Sequence, residues 1–145
     1  MQYRRLGNAG IKVSALALGS FLNFGEVQVD AAENRKIVET AYAAGVNYFD
    51  LADEYTHGEA ERQVGVILKQ FPRHTLVLAS KVFYPMSNDV NDRGLSRKHI
   101  MESVHQSLKR LETDYLDIYF CHRPDPETPS EETARAMHDL IHQVS

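Results

Sequence analysis

The 145-residue chain has a formal net charge of −4, with 43% hydrophobic and 25% charged residues. This balance fits an ordinary soluble globular domain and excludes disordered and fibrous classes, while the acidic excess argues against a nucleic-acid backbone as partner. No apolar run approaches the roughly 20 residues of a membrane span, the basic start Met1–Leu6 leads into no secretory signal, and the single cysteine, Cys121, fits a reducing cytoplasm.

Gln2–Leu6 and Ile11–Val13 flank Gly7-Asn8-Ala9-Gly10, which predicts a short hairpin. Ala15–Leu18 is then a first apolar strand, closed by Gly19. Asp30-Ala31-Ala32-Glu33 opens a helix in capping-box style, with Ile37, Val38, Ala41 and Tyr42 on its apolar side. Gly45 stands where a helix carboxyl end favours glycine. Val46–Phe49 is the second strand. Glu59–Phe71 is the second helix, with Val64, Ile67, Leu68 and Phe71 on one face and Pro72 as its stop. Leu76–Ala79 is the third strand. Ser96 caps a helix whose stripe is Ile100, Val104, Leu108 and Leu111. Tyr115–Phe120 is the fourth strand. Thr128-Pro129-Ser130-Glu131 then starts a last helix with Ala134, Met137, Leu140 and Ile141 inward, Thr128 being the expected cap.

Four consecutive βα units result, and their strands are near-continuous apolar runs, as parallel strands covered on both faces require. Right-handed crossovers leave an open four-stranded sheet or a segment of a (β/α)₈ barrel, which needs about 250 residues and eight units. The expectation is one α/β domain over 1–145: an N-terminal hairpin followed by half of a TIM barrel.

Such folds place their sites at the carboxyl ends of the strands. Strand 1 ends in Gly19-Ser20-Phe21-Leu22-Asn23-Phe24-Gly25; strand 2 ends at Asp50, with Tyr55 five residues on; strand 3 gives Lys81; strand 4 gives His122. Singly, each has an ordinary reading: a cap, a half-buried ring, a snorkelling amine, a loop imidazole. Lys81 is the most telling, because a lysine within an apolar strand must snorkel outward or find an anion. Jointly, an acid, a phenol, an amine and an imidazole at successive strand ends point to a reactive centre. Alternation turns Cys121 away from His122 toward the helices, so Cys121 is expected to pack as a small buried hydrophobe. His138 and His142 share a helix face without the glutamate of a zinc-protease motif and are expected at a solvated helix end; Asp89–Arg97 is expected to be a solvated loop.

Gly45-Val46-Asn47-Tyr48-Phe49-Asp50-Leu51-Ala52-Asp53-Glu54-Tyr55, then Gly58-Glu59-Ala60-Glu61 and Gly65, resembles the first signature of the aldo-keto reductases. Arg93–Ile100 and Arg123–Pro129 look like the branch of that family containing the potassium-channel β subunits. Those subunits usually carry asparagine where this chain has His122, which favours the enzymatic relatives. The resemblance implies NADPH-dependent reduction of small aldehydes or ketones. It assigns Tyr55 as general acid, Asp50 and Lys81 as the pair that tunes it, and His122 as the orienter of the substrate carbonyl. Gly19, Ser20, Phe21 and Asp50 would line the nicotinamide side, and Phe21, Tyr55 and His122 the substrate. The reaction builds charge on the carbonyl oxygen, which needs a proton and preorganised donors. An ammonium beside a phenol stabilises the phenolate.

In barrels of this kind the phosphate site is commonly built after strands 7 and 8. A chain of four units is therefore expected to be a truncated form that binds NADPH poorly and turns over little. It is also expected to cover its open face with another copy or a complementary half. A non-catalytic subunit of the channel-β kind is the alternative, and an open-sheet binding domain unrelated to redox chemistry a third.

Overall fold

The structure is a computed structural model and describes residues 1–21, 24–25 and 30–143. Strands β1 (Tyr3–Arg5) and β2 (Lys12–Ser14) form the antiparallel hairpin. The remaining elements alternate: β3 (Ala17–Gly19), α1 (Ala31–Ala43), β4 (Tyr48–Asp50), α2 (Glu59–Leu68), β5 (Val77–Val82), α3 (Arg97–Leu111), β6 (Ile118–Cys121) and α4 (Ser130–His142). β3 to β6 make a four-stranded, all-parallel sheet in chain order. This is the α/β architecture expected, with strand ends displaced by one to three residues from the apolar runs. No helix among the described residues is long and apolar enough to cross a membrane.

Side-chain capping fixes two of the four α-helix starts among the described residues. Asp30 Oδ1 accepts from the Ala32 amide at 3.1 Å, and Ser96 Oγ from the His99 amide at 3.1 Å. α1 ends in a Schellman arrangement: the Val46 amide bonds the Ala41 carbonyl and the Gly45 amide that of Tyr42, at 3.0 and 2.9 Å. This needs the left-handed φ of +98° that Gly45 supplies. α4 departs from expectation. Thr128 does not cap it; its hydroxyl donates to Asp125 Oδ2 at 2.7 Å, and the residue before the helix is Pro129, which has no side-chain donor or acceptor. The buried residue of α4 is Ala136, while Ala134 and Ile141 are exposed, because its inward face meets α3 and not a continuation of the sheet.

Register decides which side each strand residue faces. Leu18, Phe49 and Leu78 lie in one row and pack with Val38, Val64, Ile67, Leu68 and Leu111 under the helices. The adjoining row, Gly19, Asp50 and Ala79, therefore faces the other side. Ser80 and Tyr119, then Val82 and Cys121, are again paired rows on the helix side, and Lys81 lies with Phe120 on the inner side. A smaller cluster of Val82, Leu95, Ile100 and Ala136 seals the α3–α4 end. α2 and α3 cross closely: a β-carbon on Gly65 would sit 2.8 Å from the Leu111 backbone.

Two further expectations of burial are corrected, one of them at a single residue. Cys121 points to the helix side, as alternation requires, but it is exposed. It lies at the end of β6, which has a neighbouring strand on one side only among the described residues. The 89–97 segment is mostly exposed, yet Leu95 is buried, its amide held by Asp125 Oδ2 at 2.9 Å.

Candidate functional site

Residues carried by three separate strand ends converge. Lys81, last but one in β5, turns inward and places its Nζ 2.9 Å from Asp50 Oδ1. The same ammonium donates to the Leu51 carbonyl at 2.6 Å and to the Tyr55 hydroxyl at 3.1 Å, and stands 4.8 Å from the centre of the Tyr55 ring. The amine is thus held by two hydrogen bonds, to a carbonyl and a phenol, and by an ion pair with a carboxylate. The charge within the strand is explained by pairing, not by snorkelling.

Tyr55 leads into a turn of unusual backbone. Thr56 and His57 are consecutive left-handed residues, with φ of 50° and 51°. Non-glycine residues in that region cost about 1 kcal/mol each or more. The turn is clasped by Thr56 Oγ1, which donates to the Phe24 carbonyl at 3.0 Å. Strain adjoining the phenol is consistent with a side chain held in place by its surroundings.

His122 continues the ladder beyond β6, its amide bonding the Val82 carbonyl at 2.9 Å. Its ring stands edge-on to Tyr55, with centroids 5.9 Å apart, and edge-on to Tyr84 at 5.0 Å. Burial, and next the Lys81 charge, hold its pKa below the usual histidine value, against the opposing pull of Glu54 and Asp50. The environment therefore favours the neutral ring. Nδ1 is buried with no partner among the described residues, which leaves Nε2 as the nitrogen able to reach a ligand.

The loop after β3 completes the rim. Ser20 donates to the Asp50 carbonyl twice, from its amide at 3.1 Å and its hydroxyl at 3.0 Å, fixing the loop against the strand that carries the acid. A β-carbon on Gly19 would meet nothing within 4 Å, so open space lies beside Asp50. Phe21 is 60% exposed, its ring edge-on to Tyr55 at 5.1 Å. Leu22 and Asn23, expected in the same loop, lie outside the described residues. Of the seven residues singled out from the sequence, all but Gly19 are thus tied together by hydrogen bonds, ion pairing or ring contact, and Gly19 is placed beside Asp50 by register.

A charged network behind the site escaped sequence reasoning. Glu61, 0% exposed, accepts from Arg110 Nε at 2.6 Å and from the Ser80 hydroxyl at 2.5 Å. Asp53, equally buried, accepts from the Ser103 hydroxyl at 2.9 Å, while its amide bonds the Lys81 carbonyl at 3.3 Å. Burial pushes the Asp53 carboxyl up to about 7, helped by the Glu61 charge and opposed by the Ser103 bond. The signal was present: Glu61 lies three residues before Val64 and seven before Leu68, on the apolar stripe of α2. Elsewhere, His138 and His142 meet edge-on with centroids 4.4 Å apart on α4, and no group of acidic, histidine or cysteine side chains among the described residues is placed to hold a metal ion.

The sequence profile of the aldo/keto reductase family matches residues 15–143. The chain belongs to the aldo/keto reductase family. Among similar proteins, one from Arabidopsis thaliana named "Probable voltage-gated potassium channel subunit beta" is 45% identical over 143 residues, covering 97% of this chain and 43% of that protein. A protein of the same name from Oryza sativa subsp. japonica is 44% identical with the same coverage. The crystal structure of a thermostable aldo-keto reductase in complex with the inhibitor epalrestat superposes with a TM-score of 0.85 at 36% identity, covering 99% of this chain and 50% of that one. The chain thus spans half or less of the length of these relatives.

Proposed function

We propose that this chain carries the carbonyl-reducing centre of an NADPH-dependent aldo-keto reductase, with Asp50, Tyr55, Lys81 and His122 as its catalytic residues. The observation that carries the reading is the Lys81 ammonium shared between the Asp50 carboxylate and the Tyr55 hydroxyl. A phenol receiving a hydrogen bond from a cation can release its proton and hold the resulting negative charge. Asp50 keeps that cation in place and charged. A carbonyl oxygen between Tyr55 and His122 Nε2 would receive a proton from the first and a neutral hydrogen bond from the second as charge develops.

Bound NADPH would supply the hydride to the carbonyl carbon. Gly19, Ser20, Phe21 and Asp50 fit its nicotinamide end, since Gly19 leaves space beside the acid and Phe21 offers an uncovered ring face. Alcohol forms, Tyr55 is left as phenolate, and a proton from water restores it. Substrates are small aldehydes or ketones, and the setting is the cytoplasm. The residues here grip one end of the cofactor only, so the 145-residue chain by itself binds NADPH weakly and turns over slowly. It covers its open face by pairing with a second copy or a complementary half-barrel.

The test is NADPH oxidation with 4-nitrobenzaldehyde, with the alcohol quantified over hours to capture slow turnover. Tyr55→Phe should remove the wild-type rate by about 10²- to 10⁴-fold, and Lys81→Met should do likewise. An unchanged rate in Tyr55→Phe refutes the assignment, and micromolar NADPH affinity in a fluorescence titration refutes the weak grip. The identity to proteins named as channel β subunits favours a second reading, a non-catalytic regulatory subunit. Wild-type chain that binds NADPH and yields no alcohol would support that second reading.

A further inference from the structure

Beside the site stands an arginine that no carboxylate among the described residues neutralises. Arg73, Arg97 and Arg110 each pair with an acid, at 2.9, 2.6 and 2.6 Å. Arg123, exposed and next to His122, pairs with none among the described residues; its Nε donates to the Tyr84 hydroxyl at 3.1 Å. Tyr84 is the residue whose ring meets His122 edge-on. The chain of contact is therefore Tyr55, His122, Tyr84, Arg123, running from the phenol to the rim.

The chemistry of that rim is one-sided. The Tyr84 oxygen accepts from Arg123, which leaves its own O–H to donate. The terminal guanidinium nitrogens make no bond within the described residues, so the pair presents donors and no acceptor. Glu54 and Asp50 act on His122, but neither registers at Arg123, where Tyr84 is the influence. A planar fork of N–H groups with an adjacent hydroxyl matches a carboxylate, which it can bind bidentately.

We propose that Arg123 and Tyr84 form an anion-recognition rim, and that the substrates are aldehydes or ketones bearing a carboxylate at the end remote from the carbonyl. The assignment of the carbonyl end to Tyr55 and His122 rests on the reductase reading above. The anionic end rests on Arg123 and Tyr84 alone.

The experiment is NMR titration of the 145-residue chain with 4-carboxybenzaldehyde and with its neutral methyl ester, reading the His122 and Tyr84 ring signals and the Arg123 Nε–H. The acid should bind about tenfold or more tightly than the ester, as a charge-assisted forked bond allows, and added salt should weaken the acid alone. Arg123→Gln should abolish the preference while leaving the ester unaffected, Arg123→Lys should restore part of it, and Tyr84→Phe should reduce it. Equal binding of acid and ester overturns the proposal. So does a preference that survives Arg123→Gln, or the absence of any shift at His122 and Tyr84. If Arg123→Gln weakens 2′,5′-ADP and leaves the acid preference intact, the arginine serves a nucleotide phosphate and the proposal falls. Binding preference is read without turnover, so failure of Tyr55→Phe to lower activity would remove the reductase reading while leaving this result to stand or fall by itself.

Discussion

At the scale of single residues, the molecule keeps two acids of opposite character a few residues apart. Asp50 faces the site and is neutralised by Lys81 at 2.9 Å. Asp53 is buried, meets Ser103 and lies within the field of Glu61, and its pKa rises to about 7. A carboxyl raised from 3.8 to about 7 in the folded state is protonated there and ionised in the unfolded chain between those values. Its contribution to stability is therefore complete below about pH 4 and is lost as pH rises through 7, at about 1.4 kcal/mol per pKa unit. His122 acts in the opposite sense: with its pKa lowered, it favours the fold above pH 6.5 and loses that contribution as pH falls. Comparing wild type with Asp53→Asn cancels the histidine term. Thermal melts between pH 4 and 8 should show the variant gaining stability relative to wild type as pH rises, by a few kcal/mol at most. A pH-independent difference between the two would dismiss the protonated Asp53.

At the scale of elements, the helices and strands were legible because each carried several concordant signals. Asp30, Ser96 and Gly45 mark ends by chemistry that works locally, and the structure uses all three. Thr128 misled because a better acceptor, Asp125, lay within its reach and already bridged two loops through the Leu95 amide. The site was legible for a topological reason: parallel βα units bring successive strand ends together whatever the loops do. What sequence could not give is pairwise geometry across helices. The Glu61–Arg110 pair joins α2 to α3 over 49 positions, and Gly65 lets the same helices approach. Gly65→Ala tests that approach. Alanine favours an isolated helix by about 1 kcal/mol over glycine, but here its β-carbon would lie 2.8 Å from the Leu111 Cα, a backbone atom that cannot swing aside. The expected outcome in urea denaturation is a net loss of about 1–3 kcal/mol, the usual cost of overpacking. Increased stability would show that the α2–α3 crossing is looser than it stands here.

At the scale of the whole molecule, the sheet is half of a familiar closure. Its order β3-β4-β5-β6 leaves β3 and β6 each with one neighbour among the described residues, and both present unpaired backbone groups. The inner side is partly apolar: Phe120, on the Lys81 row, is 38% exposed, and Phe21 stands at the upper rim. The reductase of known structure that matches 99% of this chain is about twice as long, so in that relative a comparable length of chain is available to cover the equivalent surfaces. Unsatisfied edges and two exposed aromatic rings favour association, because a partner supplies both hydrogen bonds and apolar cover. The isolated chain should therefore elute with a light-scattering mass above its own 16.5 kDa, and increasingly so with concentration. Phe120→Lys places a charge on the inner row without touching the helix-side core, and should shift the distribution toward monomer. A stable monomer at about 100 μM, a concentration where even weak interfaces of roughly −5 to −6 kcal/mol are populated, would mean that the inner face is covered from within the chain. In that case Phe120→Lys would lower the melting temperature instead of the mass, and the two measurements together separate a partner-covered face from a self-covered one.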